Sequence, residues 1–203
     1  MRKLTVMTFL TLDGIMQAPG GPQEDPSGAF PHGGWSFDYF DEMLGEVMAG
    51  EMAEPFDLLL GRRTYEIFAA HWPDATPEEG GEGINAATKY VASRSPQTFR
   101  WAKSVQLEGD AAQAVAALKQ TDGPELQVHG SSDLIQTLLR AGLVDEFRIK
   151  IFPVVLGRGK RLFGDGTLPS AFRLVSTRTS ERGVIVAYYQ PAGAVTTGSF
   201  ARE

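Results

Sequence analysis

The chain has 203 residues, 42% of them hydrophobic and 22% charged. That size suits one domain able to bury roughly 70% of the surface its unfolded chain exposes. It contains no cysteine, which excludes a disulfide framework, a thiolate zinc site and a cysteine nucleophile, and fits a reducing cytoplasm. A net charge of −6 and a pI near 5.2 argue against a general nucleic-acid binder, although an acidic protein can still hold a local cationic pocket.

Arg2 and Lys3 before an apolar run imitate a signal peptide, but threonines interrupt the run, Asp13 ends it and no small-residue cleavage site follows. Leu4–Leu12 therefore reads as a first buried strand. The stretch GIMQAPGGPQEDPSGAFPHGG is crowded with Gly and Pro and is expected to be a long loop. Phe37, Phe40, Met43, Leu44, Val47 and Met48 recur at steps of three and four, which predicts a helix from Ser36 to Met52. Phe56–Leu60 follows as a short buried strand, with a helix over Arg62–Ala70. PDATPEEGGEG reads as a second polar loop.

Lys89–Ala92 and Ser104–Leu107 are further strands, and alanine-rich Asp110–Gln120 is a helix with Asp110 near its start. Leu126–His129 is a strand, followed by a helix that Gly142 caps. Glu146–Phe152 is a strand that Pro153 ends or leaves at an edge. Beyond the glycine-rich GRGKRLFGDG, Phe172–Thr179 and Val184–Gln190 read as a closing antiparallel pair. No apolar stretch approaches the roughly 20 residues of a membrane span. The alternation of strands and helices predicts one α/β domain over residues 1–192, largely parallel with an antiparallel edge, and a frayed tail over 193–203.

Three junctions carry chemistry. In LLLGRRTYEIF, Leu58 to Phe68, a buried strand ends on Gly61 and enters a helix whose first turn holds Arg62 and Arg63. A helix N-terminus offers unpaired N–H groups and about half a positive charge, so two cations there point to an anionic ligand. The alternative is that both are solvated or pair with carboxylates such as Glu66. The Gly-rich loop of a P-loop and the GxGxxG fingerprint are absent. In LQVHGSSDLIQTLL the same grammar returns: a strand ends on Gly130, and Ser131, Ser132 and Asp133 open a helix that at least one of them is expected to cap. Two such junctions at one sheet edge can flank a diphosphate. VASRSPQ, a strand end carrying Ser93, Arg94 and Ser95, suits a further phosphate.

GRRTYE after a buried strand, ASRSP, HGSSDLIQTLLRAGLVDEF and FPVVLGRGKRLF together resemble the dihydrofolate-reductase-like proteins. Among these the resemblance is closest to the reductase domain of bifunctional riboflavin-biosynthesis proteins, whose Ser-Leu-Asp-Gly start TLDG matches. It runs from about Leu4 to Gln190 and implies a three-layer α/β/α fold. It also implies NADPH-dependent reduction of a small planar heterocycle, such as 5-amino-6-(5-phosphoribosylamino)uracil or dihydrofolate. Carried over, Gly61, Arg62, Arg63 and Thr64 hold the pyrophosphate side of NADPH, and Ser93 and Arg94 the adenosine ribose phosphate. Gly130, Ser131, Ser132 and Leu134 line the diphosphate and nicotinamide. Leu10, Asp13, Gly14 and Ile15 border the nicotinamide and substrate. The resemblance further implies a homodimer through the strand-rich C-terminal region.

Two departures stand out. GGWSFDYFDEMLGEVMAGEM lacks the arginines with which the riboflavin reductases help hold a ribose phosphate, and YEIFAAHWP replaces their Asp-Asp-Pro segment. The zinc deaminase half is missing. Hydride transfer needs a proton at the reduced heteroatom, and Asp13, Asp38 and Asp41 are the candidate donors. His32, His71 and His129 show no metal-ligand spacing, so no metal site is expected. A nucleotide-binding or sensor module without turnover on the same fold is the alternative, and a flavin-binding protein a third.

Overall fold

LTVMTFLT alternates β-branched and long apolar side chains without a break, and this segment becomes β1 (Leu4–Thr11), a central strand paired in parallel on both sides. The computed structural model describes residues 1–77 and 79–200. The other strands are β2 (Phe56–Gly61), β3 (Lys89–Ala92), β4 (Ser104–Gln106), β5 (Glu125–His129), β6 (Glu146–Phe152), β7 (Phe172–Thr179) and β8 (Ile185–Pro191). They form one sheet in the order β4-β3-β2-β5-β1-β6-β8-β7, parallel from β4 to β6 and antiparallel where β8 joins β6 and β7. The helices are α1 (Glu42–Glu51), α2 (Arg62–Ala69), α3 (Gly81–Ala86), α4 (Ala111–Lys119) and α5 (Ser132–Arg140).

Helices cover both faces. On one, Leu4, Val6, Leu126, Val128, Phe147 and Ile149 pack against Val115 of α4 and Leu134, Ile135 and Leu138 of α5. On the other, Phe56, Leu58 and Leu60 meet Tyr65 of α2 and Ile84 of α3, while Leu44 and Val47 of α1 meet Phe152, Val184 and Val186. The mostly parallel sheet with an antiparallel edge is the architecture the element pattern predicts. Gly142 also ends α5 as expected, at φ +64°.

Two segments differ from expectation. The helix predicted from Ser36 is a 3₁₀ turn over Phe37–Tyr39 followed by α1. Asp41 is extended, and its carboxylate accepts the Leu44 N–H at 3.0 Å, so a capping residue starts the helix inside the apolar period. The segment from Pro73 to Gly83 is not all loop, since it contains part of a 3₁₀ turn, Trp72–Asp74, and the start of α3.

Beneath α1 the sheet carries charge. Lys150 on β6 pairs with Glu51 at the end of α1, both fully buried, and the Tyr188 hydroxyl donates to the same carboxylate at 2.7 Å. Beside them Arg148 pairs with Glu125 at 3.1 Å and with Glu146 at 2.9 Å. Removing one member of a buried pair leaves the other charge uncompensated. Lys150→Met is therefore expected to cost about 3–5 kcal/mol in urea denaturation, and adding Glu51→Gln to recover part of it.

Candidate cofactor and active site

Because β3, β2, β5 and β1 are parallel neighbours, their carboxyl ends share one edge of the sheet. That edge collects Ser93 and Arg94, then Gly61–Thr64, then Gly130–Leu134, then Leu10–Ile15, so the three junctions and the TLDG turn come together.

The two strand–helix junctions are tied directly. The Gly61 N–H donates to Ser131 Oγ at 2.9 Å, and that hydroxyl donates to Thr64 Oγ1 at 2.6 Å. The approach is close: a Cβ added at Gly61 would stand 3.3 Å from Ser131 Oγ. Gly130 and Ser131 both take left-handed backbone, at φ +79° and +68°, unusual for serine and costing about 1–3 kcal/mol.

This use of Ser131 explains why the expected cap of α5 is missing. None of Ser131, Ser132 and Asp133 caps that helix, and α2 starts at Gly61 equally uncapped. In contrast, α1 and α4 start on aspartates, Asp41 and Asp110, that accept a first-turn N–H. The two helices that open at the shared junction thus keep first-turn donors without a side-chain acceptor, which fits a phosphate group. Leu134 is buried against Leu10 and Met16 below the junction.

The cations lie around it. Arg62 Nε is 3.4 Å from Glu66 on its own helix, both exposed, so the pairing alternative raised by the sequence holds for Arg62. Arg63 reaches another element and stands 3.5 Å from Asp25. The Ser93 hydroxyl donates to the Ser95 carbonyl at 2.8 Å within its own turn, and exposed Arg94 makes no ion pair among the described residues.

The candidate acids are distributed differently. Asp13 is at the end of β1, where its carboxylate accepts from Thr11 Oγ1 at 2.6 Å and from the Gly157 and Leu156 N–H groups at 2.8 and 3.2 Å. Desolvation raises its pKa, but these donors outweigh it and hold the carboxyl below its ordinary value. Asp41 is also held low, first by the Leu44 N–H it caps, and it accepts the Arg182 N–H of the β7–β8 turn at 3.3 Å. Asp38 is exposed, and its carbonyl accepts from Arg182 Nη1 at 2.7 Å. Asp38 and Asp41 therefore face the hairpin, and no contact brings them to the Gly61–Ser131 junction. Gly14 turns at φ +78°, while Ile15 is fully buried in a small cluster with Ala18 and Phe30. Among the described residues no cluster of His, Asp and Glu could hold a metal ion, and no helix is long and apolar enough to cross a membrane.

His129, the last residue of β5, immediately precedes the Gly130 junction and is not selected by the spacing rules. Gln127 Nε2 faces two acceptors, the Glu51 carbonyl at 3.0 Å and Glu125 Oε1 at 3.3 Å, so its oxygen faces His129 Nε2 at 2.9 Å. Nε2 therefore carries the proton, and Nδ1 is left as an acceptor. Burial, then the Lys150 and Arg148 charges, push this imidazole down to about 3. Phe68 of α2 lies beside the ring at 6.2 Å.

A mixed sheet between helix layers, with its strand–helix junctions gathered at one carboxyl edge, defines a dihydrofolate-reductase-like reductase fold. The chain belongs to the RibD C-terminal domain family, whose model matches residues 2–186, and membership carries a reductase-type role. Uncharacterized protein YyaP of Bacillus subtilis (strain 168) is 29% identical over 196 residues, covering 93% of this chain and 94% of that protein. Solved structures that share the fold include two with known activities in their names. One is a diaminohydroxyphosphoribosylaminopyrimidine deaminase/5-amino-6-(5-phosphoribosylamino)uracil reductase from Thermotoga maritima, with TM-score 0.62 and 14% identity over 94% of this chain and 57% of that one. The other is dihydrofolate reductase from Enterococcus faecalis complexed with NADP(H), with TM-score 0.57 and 14% identity over 94% and 96% of the two chains.

The neutral His129 makes stability depend on acid. Its folded pKa lies below the value near 6.5 of the unfolded chain, so the unfolded state binds more protons between those limits. Stability is expected to fall as pH drops below about 6.5, with uptake of close to one proton on unfolding. His129→Gln should flatten that limb in denaturant titrations run from pH 7 to 4.

Proposed function

We propose that this protein is an NADPH-dependent reductase of a small planar heterocycle. The observation that carries the reading is the pair of uncapped helix starts at Gly61 and Ser131, joined through one hydroxyl on neighbouring strands with Arg62 and Arg63 beside them. Their N–H groups suit a diphosphate, and the two guanidiniums suit further phosphate oxygens. Ser93 and Arg94, one strand further out, take the adenosine ribose phosphate. Ser132 and Leu134 hold the diphosphate and nicotinamide side from α5, and Leu10, Gly14 and Ile15 border the ring. Bound there, NADPH supplies a hydride.

The chain's own part is positioning and exclusion of water. Thr64 and Ser131 fix the distance between the two junctions. Asp13 clamps residues 156 and 157 against the end of β1 by accepting their N–H groups. The reductase works as a homodimer through β7 and β8, where Leu174, Val175 and Ile185 are 40–48% exposed on a hairpin whose outer strand is open along almost its whole length. A nucleotide-binding module without turnover is the second reading. One observation favours it: the two candidate acids with shifted pKa values, Asp13 and Asp41, are both held ionised.

Thermal unfolding with NADPH, NADH or buffer tests the cofactor. Ligand at about 100 times Kd adds roughly 2.7 kcal/mol, or a rise of about 5–10 °C for a domain of this size. We expect that rise with NADPH and little with NADH. Arg62→Ala and Arg63→Ala should each weaken NADPH binding, more so at low salt, and unchanged affinity in both would overturn the phosphate assignment. Oxidation of NADPH by pteridines or aminopyrimidines separates the reductase from the module, and light scattering checks the dimer.

A further inference from the structure

The glycine- and proline-rich segment 14–34 and the strap 157–166 form one assembly beside the end of β1. The Met16 N–H donates to the Lys160 carbonyl at 2.8 Å, and the Lys160 N–H to Gln17 Oε1 at 3.0 Å. Gln17 Nε2 donates to the carbonyls of Asp25 and Ser27, each at 2.9 Å, and Arg158 Nη2 to that of Ala29 at 2.7 Å. Gly159 lies so close that an added Cβ would sit 2.7 Å from Ile15 Cγ2.

One residue of this assembly reaches α2. The Asp25 carboxylate stands between two cations, with Lys160 Nζ at 2.5 Å from Oδ2 and Arg63 Nη1 at 3.5 Å from Oδ1. It is the only ion pair or hydrogen bond between the loop and strap and α2 among the described residues. The Asp25 side chain is 11% exposed and that of Arg63 57%, so the anion is fixed in the body of the assembly while the cation is largely in solvent. We propose that Asp25 is an internal anion that competes weakly with a cofactor phosphate for Arg63, and so lowers the affinity of the phosphate site. The proposal rests on the reading of Arg63 as a phosphate contact.

Three observations make Asp25 a competitor of the phosphate and not its partner. The 3.5 Å separation from Arg63 is longer than the roughly 2.7–2.9 Å of a bonded guanidinium–carboxylate pair, so little holds that arm. Asp25 keeps Lys160 and the Ser27 N–H, at 3.2 Å, when Arg63 leaves, so no buried charge is stranded. A phosphate at the first turn of α2 offers Arg63 two oxygens together with helix N–H groups, and it has the same sign of charge as Asp25. Arg62 has its own carboxylate, Glu66, but that residue is on the same helix and 56% exposed, free to swing into water. Asp25 is anchored and cannot, so the phosphate separates the loop from α2 as it takes Arg63.

The test is calorimetric binding of NADPH and of adenosine 2′,5′-bisphosphate to the full chain, to Asp25→Asn, to Arg63→Ala and to the double variant. An exposed pair of this kind corresponds to a change of up to about fivefold. Asp25→Asn is expected to bind NADPH tighter by that order, and in the Arg63→Ala background the gain should vanish. Asp25→Glu keeps the charge and should bind as the unaltered chain does. If it tightens binding as much as Asp25→Asn, loop geometry and not charge is responsible, and the proposal fails. Unchanged or weaker binding by Asp25→Asn while Arg63→Ala weakens it overturns Asp25 as a competitor and leaves the phosphate site standing. NADPH affinity indifferent to Arg63→Ala, or no NADPH binding by any form, overturns the phosphate reading and this proposal with it.

Discussion

The hydroxyl of Ser131 is the constraint on which the carboxyl edge of the sheet depends. It accepts from the Gly61 amide and donates to Thr64, so two chain reversals 70 residues apart are held at hydrogen-bond distance. Serine reaches that position only in left-handed backbone, following a glycine in the same region. The strain is tolerated because the hydroxyl satisfies groups on the neighbouring junction. A side chain at Gly61 would press on it, so the glycine and the serine are one device. In consequence, both helices start without a side-chain cap at one shared junction.

The second organising feature is charge buried on the opposite side of β1 from α4 and α5. Glu51, Lys150, Tyr188, Arg148, Glu125 and Glu146 form a continuous ionic layer between α1 and the sheet. A purely apolar contact would let α1 slide along the strands, whereas each of these groups has fixed partners. Gln127 extends the layer to His129 at the carboxyl end of β5. The position of α1 and the tautomer of a histidine beside the candidate site are therefore set by the same network. Burial first, and then its cations, keep that imidazole neutral.

Much of this was legible in the sequence. Strand–Gly–helix junctions are local grammar, and GRRTYE and HGSSDL announced them without any knowledge of what lay between. Parallel order then brought them together, because segments such as LTVMTF and FDLLLG, apolar but for Thr5, Thr8 and Asp57, are buried on both faces. What escaped was set by partners distant in the chain. Asp41 sits inside a run of correctly spaced apolar residues, and only its extended backbone shows that the helix begins there. Ser131 looked like a cap because serine before a helix usually is one, and nothing local reveals that Gly61 competes for its oxygen. Asp25 lies in a glycine- and proline-rich loop with no periodicity, and its two cations come from positions 63 and 160.

The same comparison clarifies the acidic residues. Carboxylates at the ends of elements share one feature, that each accepts hydrogen bonds or faces cations from distant parts of the chain. Asp13 collects a hydroxyl and two amides, Asp41 caps a helix and takes an amide from the hairpin, and Asp25 stands between two cations. An anion fixed by several donors is stabilised in its charged form, which lowers its pKa. In a chain with 25 acidic and 19 basic residues, Asp13 and Asp25 beside this edge are engaged by donors and cations, while Asp133 in the first turn of α5 is exposed. The edge keeps two helix starts without a side-chain cap, and the proposed anion site of an acidic protein rests on them.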